Sequence, residues 1–237
     1  MTQTRATMRG IPGDSARKRG ILKVFFPILT LGLSFGFSAG IIVGNLDLLP
    51  WWIGLCILLI ALTCLVFFKK CHPSLVYGYF KGARGEEMVA GELARLPATW
   101  TIFNGLLLPN GSDADHVAVG PNGIFLIETK HWLGDVALED GKIIANGRTI
   151  NKSPITQVRN LTAELATFLP QHAEHIHGVL CFAGPQFSSA PQHLDEVTIC
   201  SYLDLGHMMT KEVPLWNAAE VASCVAQLGA LPITKGL

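Results

Sequence analysis

Charged residues are absent from Val24 to Leu46 and again from Leu48 to Phe68, so two apolar runs dominate the first third of the chain. Each run has the ~20 residues a helix needs to cross ~30 Å of hydrocarbon. Only Asn45 to Pro50 can turn between them, which predicts a tight transmembrane hairpin. A cleavable signal peptide fits poorly, because a second apolar run follows at once and no small-x-small cleavage site stands out. From Lys81 the pattern becomes that of a globular α/β layer. Val89, Leu93 and Leu96 recur at helical spacing from Ala83 until Pro97. A strand is expected over Thr101 to Leu108, then two alternating strands over Asp113 to Lys130 around Pro121-Asn122-Gly123. Gly134 to Ile150 reads as a small β segment with turns at Asp140-Gly141 and Asn146-Gly147. A helix over Pro154 to Phe168, bracketed by prolines, buries Val158, Leu161, Leu165 and Phe168. Apolar strands at Gly178 to Ala183 and Val197 to Tyr202 follow, and a closing helix runs to Leu228, capped by Asn217 and ended by Gly229.

The resulting plan has four parts. Residues 1–23 form a basic N-terminal segment, 24–68 the transmembrane hairpin, 69–80 a linker containing the connector Cys71 to Phe80, and 81–237 a single α/β domain. Gly32, Gly36, Gly40 and Gly44 share one smooth face of the first run. That face suits close packing against the second run, and the same physics would let it pair copies of the chain into a homo-oligomer.

Charge then adds a direction. Arg5, Arg9, Arg17, Lys18, Arg19 and Lys23 precede the first run, Lys69 and Lys70 follow the second, and the turn holds only Asp47. By the positive-inside rule this is a two-pass protein of the cell (inner) membrane with both termini and the domain cytoplasmic; Trp51 and Trp52 fall at the outer interface. The net charge of zero conceals an asymmetry: residues 71–237 hold ten Lys and Arg against sixteen Asp and Glu, a balance of six negative. A domain that grips nucleic acid tightly usually carries a basic footprint, so strong binding here would need cations to offset the charge. The six cysteines form no C-x-x-C pair and read as reduced small hydrophobes.

Candidate chemistry lies at one end of the alternating hairpin. Side chains alternate along a strand, so Leu126, Glu128 and Lys130 share a face, and Asp115 at the start of the first strand meets the end of the second. Two carboxylates and an ammonium in an apolar setting are costly unless they pair or hold a cation. Carboxylate oxygens are the ligands a hard ion such as Mg²⁺ (or Mn²⁺) prefers, and such an ion polarises phosphodiesters and acidifies bound water. Lys130 could orient that water or stabilise developing charge. Glu86, three residues before Val89 and seven before Leu93, projects from the core-facing side of its helix, and Gln157 borders the buried face of the next. His116 and His131 alternate to the opposite face from the acids. His172, His175 and His177 crowd together without the spacing of a zinc site. Gly82 and Gly85 are expected to allow close backbone approach at the helix start.

Four segments in order carry a resemblance: Gly82-Ala-Arg-Gly-Glu86, Asp115-His-Val-Ala-Val, Gly123-Ile-Phe-Leu-Ile-Glu-Thr-Lys130, and Asn151-Lys-Ser-Pro-Ile-Thr-Gln157. Together they resemble the successive motifs of the nuclease-related domain family, NERD, of the PD-(D/E)XK restriction-endonuclease-like superfamily, over about Lys81 to Phe168. The proline of the superfamily's namesake motif is absent before Asp115. The resemblance implies a restriction-endonuclease-like mixed sheet flanked by helices, preceded here by two transmembrane helices. It matches Glu86 to the first-helix acid, Asp115 to the metal-binding aspartate, Glu128 and Lys130 to the E-x-K pair, and Gln157 to the later helix glutamine. Asp115, Glu128 and Glu86 would be the metal ligands, and the reaction metal-dependent hydrolysis of DNA or RNA. The other reading, from the acidic balance, is a catalytically silent module that binds nucleic acid or protein at the membrane, since a fold does not by itself carry an activity.

Overall fold

A computed structural model describes residues 5–44, 53–54, 57, 60–62, 64–65, 73–150, 154–184, 187, 190–211 and 213–234. The elements in chain order are β1 (Thr7–Arg9), α1 (Asp14–Gly44), α2 (Pro73–Leu93), β2 (Thr101–Leu107), β3 (Asp113–Gly120), β4 (Gly123–Lys130), β5 (Val136–Glu139), β6 (Lys142–Ala145), β7 (Arg148–Thr149), α3 (Pro154–Phe168), β8 (Ile176–Phe182), β9 (Gln192–Leu194), β10 (Val197–Ser201), α4 (Tyr202–Thr210) and α5 (Ala218–Leu228). The fold is α/β, a mixed seven-stranded sheet in the order β1-β2-β3-β4-β8-β10-β9 flanked by helices, with β5-β6-β7 as a separate three-stranded sheet. Pairing is antiparallel along β2-β3-β4 and parallel from β4 to β8 to β10. The parallel step from β4 to β8 is bridged by α3, as parallel strands require a crossover.

Alternation along the strands fills a core on each face. From β4, Ile124 and Leu126 enter one layer with Val158, Leu161 and Leu165 of α3 and Val221, Cys224 and Leu228 of α5. Phe125 and Ile127 enter the other with Val89 and Leu93 of α2 and Leu205 and Met209 of α4. A strand buried on both faces reads as a near-continuous apolar run, and β4 is buried from Gly123 to Thr129. The small sheet turns where the dipeptides indicated: Asp140 and Gly141 have φ of 47° and 69°, Asn146 and Gly147 51° and 70°, the signs of the tight hairpin turn.

Three expectations change. The stretch read as a connector is helical from Pro73 and continues into α2; only Gly78 in residues 74–80 opposes a helix, and that is too little to stop one. Residues 5–15, read as a basic lead-in, contain β1, which runs parallel to β2 in the register Thr7↔Thr101 to Arg9↔Phe103. The first apolar helix begins at Asp14, ten residues before the charge-free run, and Asp14–Gly36 is the one described helix long and apolar enough to cross a membrane, with mean hydropathy 1.3. Such a helix near the N-terminus suits a single span or a signal sequence. The second apolar run lies mostly outside the described residues, as do Trp51, Trp52 and the Asn45 to Pro50 turn. Within α1, nothing lies within 4 Å of where a Cβ would stand on Gly32, Gly36 or Gly40, so the packing expected on that face is not seen among the described residues. Described residues up to Ser15 pack with Lys81–Leu237 as one compact unit, and Ala16–Phe80 form another.

Candidate active site

Pairing between β3 and β4 runs from Gly120↔Gly123 to His116↔Ile127 and ends there, while β4 continues along β8 to Lys130↔Phe182. Beyond the last pair the Asp115 side chain takes over from the backbone ladder: its Oδ2 accepts a hydrogen bond from the Thr129 amide at 2.8 Å. The opening between the two strands is where the sequence-predicted acids gather. Glu128 is 3% exposed. Its Oε1 accepts from Lys130 Nζ at 2.6 Å and from Gln157 Nε2 at 2.7 Å, and Lys130 Nζ also donates to Gln157 Oε1 at 3.1 Å. This closed triangle joins the E-x-K pair of β4 to the first turns of α3. Glu128 Oε2 is buried with no partner, a costly state for a carboxylate oxygen.

Glu86 comes from the other side of the sheet. Gly85 packs so closely on the residue that follows β4 that a Cβ there would stand 2.6 Å from that of His131, and this approach carries Glu86 to the open end of the hairpin. Gly82 faces open space instead. Glu86 Oε2 accepts from the Gly13 amide at 2.9 Å, a partner that no local pattern announced. Asp115 is half-buried, and crowding of its carboxyl by protein pushes its pKa well above the carboxylate range, with Glu128 and then Glu86 adding repulsion; the Thr129 amide and Lys130 oppose this. Burial likewise raises Glu128, while Lys130 and Gln157 pull it back down.

The neighbouring histidines turn away from the acids. His116 is fully buried with Nδ1 2.8 Å from Asn104 Oδ1, and burial lowers its pKa to about 3. His131 Nδ1 lies 3.0 Å from the Lys81 carbonyl oxygen. His172 and His175 pack on Trp216, with ring centroids 4.8 and 5.6 Å away, and His177 on Phe125 at 4.8 Å. The cysteines Cys64, Cys181, Cys200 and Cys224 are buried and unpaired by disulfides. Cys56 and Cys71 lie outside the described residues.

Among the described residues no group of three or more His, Cys, Asp or Glu stands close enough to hold an ion as placed, so Glu86, Asp115 and Glu128 do not form the ready three-ligand cage the sequence suggested. The donor chemistry still fits a hard dication: a partnerless buried oxygen on Glu128, and an Asp115 kept reluctant to ionise by burial and then by two other acids. A dication satisfies the first and reverses the second.

The structure thus brings a carboxylate-lysine-glutamine cluster to the open end of a β-hairpin of an α/β fold, with a crossover helix behind it. Residues 81–183 match the family model of the nuclease-related domain, NERD. The second apolar run ends at Phe68 and the match begins after the twelve residues 69–80 that follow it; the match contains Glu86, Asp115, Glu128, Lys130 and Gln157. It ends just past β8, so β1, β9, β10, α4 and α5 lie outside it. No curated protein and no solved structure matches the chain.

Proposed function

We propose that the protein is a membrane-anchored, divalent-metal-dependent nuclease whose domain adopts a restriction-endonuclease-like fold and faces the cytoplasm. The observation that carries the reading is the Glu128–Lys130–Gln157 triangle with the partnerless Glu128 Oε2 beside Asp115. Asp115 and Glu128 would hold Mg²⁺ or Mn²⁺, with Glu86 adding a third carboxylate. When bound, such an ion polarises a phosphodiester and makes hydroxide available near neutral pH. The chain's own groups do the rest. Lys130, fixed by two acceptors, is placed to orient the attacking water and to offset charge developing on the phosphate oxygens. Gln157 holds Glu128 and Lys130 in register, so neither swings into solvent.

The anchor reading gains support from a parity argument. β1 precedes the apolar segment and β2 follows it, yet they are neighbours in one sheet. Strands of one sheet lie on one side of a membrane, so the chain between them crosses an even number of times. That favours two spans over one, and a removed signal would take β1 with it. The basic flanks support a cytoplasmic placement of the shared side, where chromosomal or invading nucleic acid is found. Gly32, Gly36 and Gly40, open among the described residues, support self-association in the membrane through the face they share with Gly44 in the sequence.

The test uses the full chain in detergent. Mg²⁺- or Mn²⁺-dependent cleavage of DNA or RNA is expected from the wild type, and a loss of at least ~10²-fold in Glu128→Ala and Lys130→Ala, the scale for removing an aligned electrostatic group. Equal inertness of all three proteins across metals and substrates would sink the enzyme reading and leave the silent binding module.

A further inference from the structure

The segment Ala6 to Gly13 reaches the site from outside the nuclease-related domain match and is tied down at five of its eight residues: Ala6, Thr7, Arg9, Gly10 and Gly13. Ala6 is buried in the core that contains Val89 and Leu93, and the Ala6 and Thr7 amides donate to the Leu96 and Trp100 carbonyls, both at 2.9 Å. The fully buried Asn104 donates from Nδ2 to the carbonyls of Arg9 at 3.1 Å and Gly10 at 3.3 Å, while its Oδ1 meets His116 Nδ1. Arg9 lies over the Phe103 ring, 5.3 Å from its centroid. Gly10 and Gly13 have φ of 78° and 73°. A Cβ on Gly10 would stand 2.3 Å from the Asn104 carbonyl oxygen, and one on Gly13 2.7–2.8 Å from backbone and side-chain atoms of Ala83. The strap therefore lies too close for side chains at both glycines, and its last amide donates to Glu86.

We propose that Gly13 is a positioning residue of the site: the strap delivers its amide to Glu86 Oε2 and so fixes that carboxylate within electrostatic reach of Asp115. Two features make the placement effective. Gly13 immediately precedes α1, so the amide sits at the helix start, where unpaired N–H groups and the helix dipole favour an anion. The strap brings that amide to Glu86, one turn after Ala83 on α2, by coming within contact of Ala83, which only glycine permits. The domain match alone, starting at Lys81, lacks this part. The inference rests on the metal-site reading above.

The experiment compares wild type with Gly13→Ala, Glu86→Gln and the double variant as full chains in detergent, with Mg²⁺ binding followed by calorimetry. Gly13→Ala is expected to weaken Mg²⁺ binding by about tenfold or more, as outer-sphere changes do. Glu86→Gln should match it, and the double variant should be no weaker than either, because both act through one carboxylate. A merely structural glycine would lower the unfolding temperature and leave the affinity unchanged, and that result, or additive losses, overturns the proposal. Gly10→Ala loosens the same strap from its other end and serves if Gly13→Ala does not fold. If wild type binds no Mg²⁺, the metal reading falls by itself. The strap is then judged by amide hydrogen exchange in peptides spanning Glu86: faster exchange in Gly13→Ala supports it, and unchanged exchange overturns it.

Discussion

Asp115 and His116 are adjacent in β3 and face opposite sides of the sheet, and burial drives their pKa values in opposite directions. Asp115 is raised by crowding, by Glu128 and by Glu86. The folded state then binds a proton that the unfolded chain has already lost, so this group makes stability fall as pH rises from ~4, the ordinary Asp value, to its raised value. Asp115→Asn removes the repulsion and keeps an acceptor for the Thr129 amide. It should stabilise the apo protein at pH 7 while weakening Mg²⁺ binding; unchanged metal affinity would remove Asp115 from the ligand set. His116 has the opposite sign. Its pKa falls from 6.5 to about 3, so the unfolded chain binds the extra proton, and stability is lost as pH drops from 6.5 towards 3. The whole shift corresponds to roughly 4–5 kcal/mol at most. In an Asp115→Asn background, His116→Gln should flatten the dependence of the urea midpoint on pH between 6.5 and 4, and a slope that persists would place the acid sensitivity elsewhere.

At the scale of elements, strong local signals were legible. α3 spans Pro154–Phe168 as its stripe and flanking prolines indicated, and Asn217 caps α5 with a full capping box to Glu220. α4 escaped notice, though Ser201 as its N-cap and Leu205 with Met209 one turn apart were available signals. β1 offered none: three residues, Thr-Met-Arg, carry no usable period, and its pairing is with a strand more than ninety residues away. That strand has a thermodynamic role. A chain that begins at Lys81 loses the β1–β2 ladder, the burial of Ala6 and both acceptors of Asn104 Nδ2, at about 0.5–1.5 kcal/mol for each hydrogen bond lost. Residues 81–237 alone should therefore unfold at lower urea than the same residues with 1–13 fused through a flexible linker, and they should be more prone to aggregate through the bare β2 edge. Equal midpoints and equal solubility would show β1 to be dispensable.

For the whole molecule the proposed membrane anchor makes the decisive quantity the side of the membrane on which each segment lies. Eight basic residues flank the two apolar runs and none lies between Asn45 and Pro50, while β1 and β2 pair in one sheet and so share a compartment. In a background cleared of native cysteines, a cysteine replacing Asp47 should react with an impermeant reagent applied to intact cells, and cysteines replacing Thr4 or Lys235 should not. Labelling at Lys235 would overturn the cytoplasmic orientation. Labelling of one end only would contradict even parity, and with it the pairing of β1.

What the sequence determined by itself is what short periods encode. Strand alternation put Glu128 and Lys130 on one face, Pro121-Asn122-Gly123 closed the hairpin that sets Asp115 beside Thr129, and a helical stripe brought Gln157 to the edge of that face. All of this follows from side chains within some thirty residues of each other. Only the tertiary structure decided that Glu86 is held by the Gly13 amide, 73 residues away, and that Asn104 binds the carbonyls of Arg9 and Gly10, about 95 residues away. Backbone amides and carbonyls are the same at every position, so no pattern of side chains marks which one a distant carboxylate or amide will meet; that choice is made by the close packing that glycines at positions 13 and 85 allow.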